Sequence, residues 1–575
     1  MTPFTAANTS SCSYGIGPAW GRWAMAALLA CGGAAPVHAQ TLPTQLPPGA
    51  EPGREAPRPV MPQSSLTAPP LQVPQSSAVE VPPGAKDLRF VLTEVSVEGA
   101  SAFPTSTLRP LYAGLLGSEV SVAEVFEVAH AIELLYRNAG YITSRVIVPQ
   151  QTIETGRFRI LVVEGFVSDI VYQGDIGPAR AAVEKLMADL RTVRPISIAE
   201  IERRLLLAND LPGLTVRGTL EPSPTTPGGS VILVRSERKA LEGAVTLDNR
   251  ASPYLNTRQL SGTFAWNTFG ARADRVSLNT KTSLPTGRTT AIGASYDALV
   301  SAQGTSFSLA GSHARSSPGR ELEVLDVQSQ VSSLLGTVTV PLIRSRGENL
   351  RAVSQLEARD VDTDIAGTTF TQDRLRIVRA GASYDRSDEW QGITTVRGML
   401  HQGLSSLGAS ANGSALSSRL NGRSDFTKLT FDLTRLQQVS PRVSLVGSLT
   451  SQYTRKPLLA SEEFSLGGAS FGRAFDEGEI SGDKGVAATV ELRYLPAGLP
   501  RNTQFYGFID GGRAWAAEGG NPVPRAKLSS FGGGVRSGLS NKVFATLEIA
   551  KPMNTEVRTR GDKGARAFLS ITAQF

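Results

Sequence analysis

The sequence predicts a mainly β protein: a transmembrane antiparallel β-barrel of about 16 strands, preceded by two small α+β domains. Three observations predict it. From Leu241 to the last residue, a stretch of about 335 residues, helical periodicity vanishes and apolar and polar residues alternate at period two. Ahead of that stretch, a β-α-α-β-β order occurs twice with a spacing of about 75 residues. The chain also opens on an export signal, and its only cysteines are Cys12 and Cys31.

Residues 1–39 form the signal. Arg22 precedes the apolar stretch Trp23–Ala30, and Val37-His38-Ala39 offers a cleavage site before Gln40. A lipoprotein signal ending at Cys31 is the rival, but Leu29 just before Ala30 and the clean Val37-x-Ala39 favour the first reading. Either way the chain leaves the cytoplasm. Without residues 1–39 no cysteine remains, which excludes disulfides and thiolate metal sites. The four histidines (His38, His130, His313, His401) show no metal-ligand spacing, so no metal or other cofactor is expected. The formal charge of +7 reads as a solvated, mixed-charge surface, with no nucleic-acid partner. No run of 18 apolar residues follows residue 40, so no transmembrane helix is expected. Barrel strands of about ten alternating residues give no such peak.

Residues 40–87 hold 12 of the 35 prolines and read as an extended periplasmic arm or linker. The first α+β domain follows at 88–165. Phe90–Val97 alternates as a strand, and Thr105-Ser106 starts a helix that carries Leu108, Leu111 and Leu115. A second helix over Val122–Asn138 carries Val125, Ala129, Ile132 and Leu135-Tyr136 on one face. Ile142–Val148 and Arg157–Glu164 complete it as strands. The second domain, 166–239, repeats the order with strands at Ser168–Tyr172, Leu214–Pro222 and Gly229–Ser236 and helices at Ala179–Leu190 and Ile198–Asn209.

The barrel spans 240–575. Leu241, Gly243, Val245 and Leu247 alternate with Glu242, Ala244, Thr246 and Asp248. Near the end, Ala567, Leu569, Ile571, Ala573 and Phe575 share one face. The strand Val486–Tyr494 places Glu491 and Arg493 together on its polar face. Alternation alone also fits a soluble sandwich or propeller; the export signal, the missing cysteines and long polar loops alternating with short turns such as Leu284-Pro285-Thr286-Gly287 favour a barrel. Closure is then required, because lipid satisfies no unpaired backbone group. About 20 residues per strand plus connection give roughly 16 strands.

Several stretches carry a family resemblance. Tyr136-Arg137-Asn138-Ala139-Gly140-Tyr141, Val148-Pro149-Gln150 and Val162-Val163-Glu164-Gly165 are similar to the second half of a POTRA domain. Phe471-Gly472-Arg473-Ala474-Phe475, followed by Gly478–Gly485, resembles a long inward loop with a Val-Arg-Gly-Tyr/Phe tip. Phe508-Ile509-Asp510-Gly511-Gly512 looks like the motif facing it. Together they resemble the outer-membrane transporters of two-partner secretion systems, the haemolysin-activator and filamentous-haemagglutinin transporter type. That family implies two POTRA domains in the periplasm and a 16-stranded barrel in the outer membrane of a Gram-negative bacterium. It implies a nucleotide-free translocase that captures an unfolded client (an adhesin, cytolysin or similar) and secretes it through a monomeric, lipid-embedded barrel. It also implies that Arg473, on the inward loop at 467–485, pairs in the lumen with Asp510. Strand parity agrees, since a carboxylate cannot face lipid cheaply. Two departures stand out: Ala474 replaces the usual glycine, and Gly472 the usual valine. The proline-rich arm shows no amphipathic helix, so a helical pore plug is not expected.

Rival chemistry is weak. Gly468-Ala469-Ser470-Phe471-Gly472 matches a nucleophile elbow, but no helix pattern follows it and no histidine occurs after His401. No enzymatic activity is expected. A passive porin would leave the two α+β domains idle, and a barrel-assembly factor of the same superfamily usually carries more POTRA repeats.

Overall fold

The computed structural model describes residues 47–50, 71, 81–499, 503–523 and 527–575. The expected signal peptide, and most of the 40–87 segment, lie outside the described residues.

The first domain is built from β1 (Arg89–Val91), β2 (Glu94–Glu98), α1 (Thr105–Leu108), β3 (Glu119–Ser121), α2 (Val122–Asn138), β4 (Arg145–Ile147) and β5 (Arg157–Val163). The strand expected over Phe90–Val97 is two strands. Leu92 turns away to exchange backbone hydrogen bonds with Gly117 and Ser118, so β1 pairs with β3 while β2 runs parallel to β5. The main sheet has the order β2-β5-β4. Helix α1 is short because Pro110 and Gly114 break its turn into 3-10 segments. Helix α2 starts on a capping box in which Ser121 Oγ accepts from Glu124 N (3.2 Å) and Glu124 accepts from Ser121 N (2.6 Å). Its buried face, Val125, Ala129, Ile132 and Tyr136, packs on Val95, Phe158 and Ile160.

Glu164 ties this domain together. Its carboxylate accepts Ser101 N, Ala102 N and Tyr136 OH, each at 2.7 Å, and also the Ser101 hydroxyl. The second domain contains β6 (Phe166–Gly174), α3 (Arg180–Met187), α4 (Ile198–Asn209), β7 (Leu214–Pro222) and β8 (Gly229–Arg238), with sheet order β6-β8-β7. Two backbone bonds join the domains: Ile196 N donates to Gly165 O (2.9 Å) and Ile198 N to Gly140 O (3.0 Å). The glycines of two family-like stretches therefore form the joint.

Sixteen antiparallel strands close the barrel. They are β9 (Leu241–Asp248), β10 (Arg258–Asn267), β11 (Arg275–Leu284), β12 (Thr289–Leu299), β13 (Ser306–Ser316), β14 (Val327–Arg344), β15 (Glu348–Ile365), β16 (Thr368–Ser387), β17 (Gly392–Gly403), β18 (Thr427–Ser440), β19 (Val443–Thr454), β22 (Lys484–Tyr494), β23 (Gln504–Trp515), β24 (Lys527–Gly538), β25 (Val543–Pro552) and β26 (Arg566–Gln574). A small hairpin, β20 (Phe464–Leu466) and β21 (Ile480–Gly482), sits in the loop between β19 and β22. The outward set includes Leu260, Leu278, Leu334, Leu356, Leu429, Ile509 and Leu569, all exposed. The inward set includes buried Thr489, Glu491, Asp510 and Glu548. The seam is short: β26 and β9 pair over Ser570–Gln574 and Asp248–Ala244. Phe575 and Gly243 extend it by exchanging two backbone bonds (3.0 and 3.2 Å), and a side chain at Gly243 would collide with the Phe575 ring.

The second domain is fastened to the proximal end of the barrel, where β9 begins. Asp210, after α4, accepts two bonds of 2.8 Å from the Arg344 guanidinium at the end of β14. Arg344 also donates to Asn349 (2.9 Å), and its side chain is fully buried. Arg204 reaches Ala302 O (3.1 Å) and Lys185 reaches Val300 O (3.1 Å) in the β12–β13 turn.

Of the proline-rich segment, expected as a periplasmic arm, the described residues 47–50 lie against the distal loops of the barrel. Pro48–Ala50 forms a single 3-10 turn at the distal end. Ala50 is fully buried, its carbonyl accepting from Ser316 Oγ (3.4 Å), and Gly49 fits where a side chain would meet the Glu477 carbonyl and Ser252. Leu71 packs among the second domain's core residues, beside Leu205. Composition gave no sign that Gly49 and Ala50 fill gaps between loops, and the expectation of no helix falls mostly outside the described residues.

Burial works to raise the Glu164 pKa, but bonds from Ser101, Tyr136 and Ala102 outweigh it and hold the carboxyl below its usual range. A depressed pKa contributes stability above the ordinary value, lost as pH falls through the folded one. Glu164→Gln should lower thermal stability by about 2 kcal/mol at pH 7. The gap to wild type should narrow below about pH 4.3, where only wild type loses a charge. Unfolding of the full chain followed at both pH values checks this; an unchanged gap would contradict it.

Candidate functional site: the inward loop and its lumenal charges

The chain between β19 and β22 does not stay at the distal rim. It folds into the barrel and is held at its tip, its descending arm and its base. The tip is the segment 471–475. Gly472 adopts φ +75°, and a side chain there would strike Leu528, so the turn requires glycine. Phe471 and Phe475 flank it, both buried in a cluster with Phe508, Leu528 and Phe568. Ala474 is fully buried, its N–H donating to Ser530 Oγ (3.3 Å) and its carbonyl accepting from Arg566 (3.0 Å). Its methyl group fits, so the departure from glycine changes no contact geometry here. On the facing strand, Gly512 leaves room for Leu466 of the small hairpin, and Gly511 lies against the Leu528 carbonyl and Ser529.

The structure brings Arg473 and Asp510 together, with a different division of labour from the one expected. Asp510 holds the loop backbone, accepting Arg473 N (3.1 Å) and the Ser530 hydroxyl. The Arg473 side chain approaches Asp510 only at 3.7 Å. Its short contact is to Glu491 (2.6 Å), with Glu548 at 3.5 Å. The guanidinium also stacks over Phe508, 4.2 Å from the ring centre. Glu491 is the hub: Arg493 (2.8 Å) and Arg536 (2.8 and 3.1 Å) reach the same carboxylate. Glu548 accepts Tyr506 OH (2.8 Å) and pairs with Arg250. Arg536 lies over the Tyr506 ring at 3.8 Å.

Two further anchors were missed from the sequence. On the descending arm, Asp476 pairs with Arg566 (2.7 Å), and Glu479 accepts Arg558 N (2.7 Å). At the base, fully buried Asp483 pairs with Arg419 and accepts Leu458 N (2.8 Å) and Ala517 N (2.9 Å). Glu462 meets Lys428 (2.7 Å) and Arg359 (3.1 Å). Burial alone would raise the Glu462 pKa, but Lys428, Arg359 and Arg379 outweigh it and hold the carboxyl well below the usual range. The available signal was parity: Glu491, Arg493 and Glu548 each alternate with apolar neighbours, and Arg536 follows Val535, so these charges must face the lumen. Which of them meet depends on register across strands distant in sequence.

Ser470, in the elbow-like run, lies in a bend with no helix following it. Among the described residues no cluster of three or more His, Cys, Asp or Glu could hold a metal ion.

Glu491→Gln leaves three guanidiniums facing a neutral amide and should loosen the loop by about 3–5 kcal/mol. Asp510→Asn keeps an acceptor for the Arg473 N–H and should cost about 1–2 kcal/mol. Proteolysis within 455–483, on barrels retaining heat-modifiable gel mobility, should therefore be faster in Glu491→Gln than in Asp510→Asn. The reverse order would refute the assignment of Glu491 as hub.

Comparison with known proteins agrees with this architecture. Residues 90–165 match the ShlB-type POTRA domain. Residues 228–537 match the family of haemolysin secretion/activation proteins ShlB/FhaC/HecB. The heme/hemopexin transporter protein HuxB of Haemophilus influenzae (strain 86-028NP) is 23% identical, covering 82% of this chain and 85% of its own. The outer membrane transporter CdiB of Dickeya dadantii (strain 3937) is 24% identical, covering 74% and 76%. Among solved structures, CdiB from Escherichia coli superposes with a TM-score of 0.73 at 19% identity, covering 89% of this chain and 95% of its own. CdiB from Acinetobacter baumannii gives 0.63 at 16%, covering 91% and 95%. With its POTRA domains, its closed 16-stranded barrel and more than half its length matched, the chain belongs to the haemolysin secretion/activation family ShlB/FhaC/HecB, outer-membrane transporters of two-partner secretion.

Proposed function

We propose that this transporter captures its client unfolded in the periplasm, on the domains at 88–165 and 166–239, and passes it through the barrel without nucleotide or catalysis. The observation that supports this best is the fastening of the second domain to the proximal rim through Asp210–Arg344, which sets a capture surface at the mouth of a lumen lined with charge. Each three-stranded sheet ends in a strand with one free edge, β4 and β6 among the described residues. Ile147 and Val171 are exposed on them. An extended segment adding to such an edge gains backbone hydrogen bonds with little demand on its sequence. The barrel works as a monomer with its apolar face in lipid, and client folding outside makes passage one-way. The client is a secreted protein such as an adhesin or a cytolysin.

In this reading the loop at 467–485 is positioned by Arg473 through Glu491 and Asp510. The test compares extracellular proteins from cells carrying wild type, Arg473→Ala, Glu491→Gln, Asp510→Ala and the exchange Arg473→Glu with Glu491→Arg. Secretion of a wild-type-dependent protein should fall about tenfold, the effect of losing ~1.4 kcal/mol, in inserted Arg473→Ala and Glu491→Gln, and recover partly in the exchange. Normal secretion by all four variants would remove the cluster from the mechanism.

A further inference from the structure

The outer wall of the barrel behind the Arg473 cluster carries a feature that lumenal chemistry does not explain. Near the proximal ends of β22–β25, successive outward positions in register run Leu492, Gly507, Gly533, Ile549. The neighbouring outward row runs Tyr494, Phe505, Val535, Leu547. In these two rows only the adjacent Gly507 and Gly533 lack a side chain, and they leave an open, apolar trench of about 450 Å³. Its floor is the bare backbone of β23 and β24, and Tyr506 and Phe508 hang from the inner side of that backbone.

Most glycines in this region are imposed by packing. A side chain at Gly532 would strike the Ile549 carbonyl, one at Gly533 the Tyr506 carbonyl, and one at Gly534 the Leu547 carbonyl and the Tyr506 ring. Gly507 is different. A Cβ there would meet nothing nearer than 3.9 Å, and its φ is ordinary. Glycine inside a strand weakens it, and marks a bulge, a barrel bend, or a close approach by a ligand or another backbone. Packing therefore does not impose glycine at 507, and the bare backbone of Gly533 beside it widens the gap to two strands.

We propose that this trench binds one acyl chain of a phospholipid in the periplasmic leaflet of the outer membrane. The trench lies on the membrane-facing side, towards the barrel end that carries the periplasmic domains. Its walls are aliphatic and aromatic. Its volume falls in the range of small-ligand sites, roughly 300–1,000 Å³, whereas a protein partner needs about 1,000 Å² of buried surface in all. Phe505 on one side and the next outward row, Ile509 and Phe531, on the other are all exposed. They stand proud of the glycine floor and keep a flat surface away, while a single hydrocarbon chain passes between them.

The test uses the full chain in nanodiscs of phosphatidylethanolamine bearing a photoreactive group midway along one acyl chain. After irradiation and digestion, label should concentrate on peptides containing 504–509 and 531–535. Gly507→Leu, which fills the trench without a backbone clash, should cut that labelling about tenfold, equivalent to losing burial of roughly two methylenes. Gly336→Leu, at an outward glycine of β14 with nothing nearer than 4.0 Å, should leave it unchanged. Heat-modifiable mobility verifies the fold, and Gly507→Val replaces the leucine variant if that variant loses it. Label spread evenly around the belt, or equal trench labelling in wild type and Gly507→Leu, would overturn the proposal. Trench labelling that is lost when two copies share one nanodisc, relative to discs holding one copy, would overturn it too, in favour of a second copy.

Discussion

The constraint on which the structure depends is that every backbone amide in hydrocarbon must find a partner within the chain. Sixteen strands meet it by closing. Closure creates a lumen lined by every second residue, and the chain fills part of that lumen with its own loop. The weakest part of the closure is the seam, where β26 and β9 share fewer paired residues than β25 and β26 or β9 and β10. The terminal Phe575 compensates twice, with two further backbone bonds to Gly243 and with its ring laid over that glycine. The chain therefore ends on a residue that helps to close its barrel.

Period-two alternation made the barrel legible, because it is a local property that survives in each strand. The POTRA helices were legible for a similar reason: apolar residues at three- and four-residue spacing mark Val122–Asn138, and Ile198–Asn209 was bounded correctly. Short elements were not. The break at Leu92 comes from a bond to Ser118 across the fold, and nothing in Phe90–Val97 announces it. The same holds at the site. Arg473 and Asp510 could be named from motif and parity, whereas Glu491 as the hub required knowing that β22, β24 and the loop tip converge. Parity states which face a charge takes, and register decides which charge it meets.

The anchors also differ in kind. At the base, Asp483 and Arg419 are almost wholly shielded and supported by two backbone donors, a fixed point for the loop. At the tip, the cluster around Glu491 shares one carboxylate among three guanidiniums, so no single arginine is indispensable to that carboxylate's charge balance. Arg473 is singular for another reason. It alone joins the loop's backbone at Asp510 to the barrel wall at Glu491, while Phe508 supports its flat face.

That arrangement bears on how a client passes. Withdrawing the tip exposes Phe471 and Phe475, at about 2 kcal/mol each, and breaks a buried ionic contact at about 3–5 kcal/mol. The sum, near 8 kcal/mol, corresponds to a withdrawn population of about one in a million at equilibrium. Spontaneous withdrawal at that level gives no useful open time. A client that removes the loop tip must therefore replace those contacts with its own as it enters, residue by residue. A client that cannot do so passes beside a fixed tip.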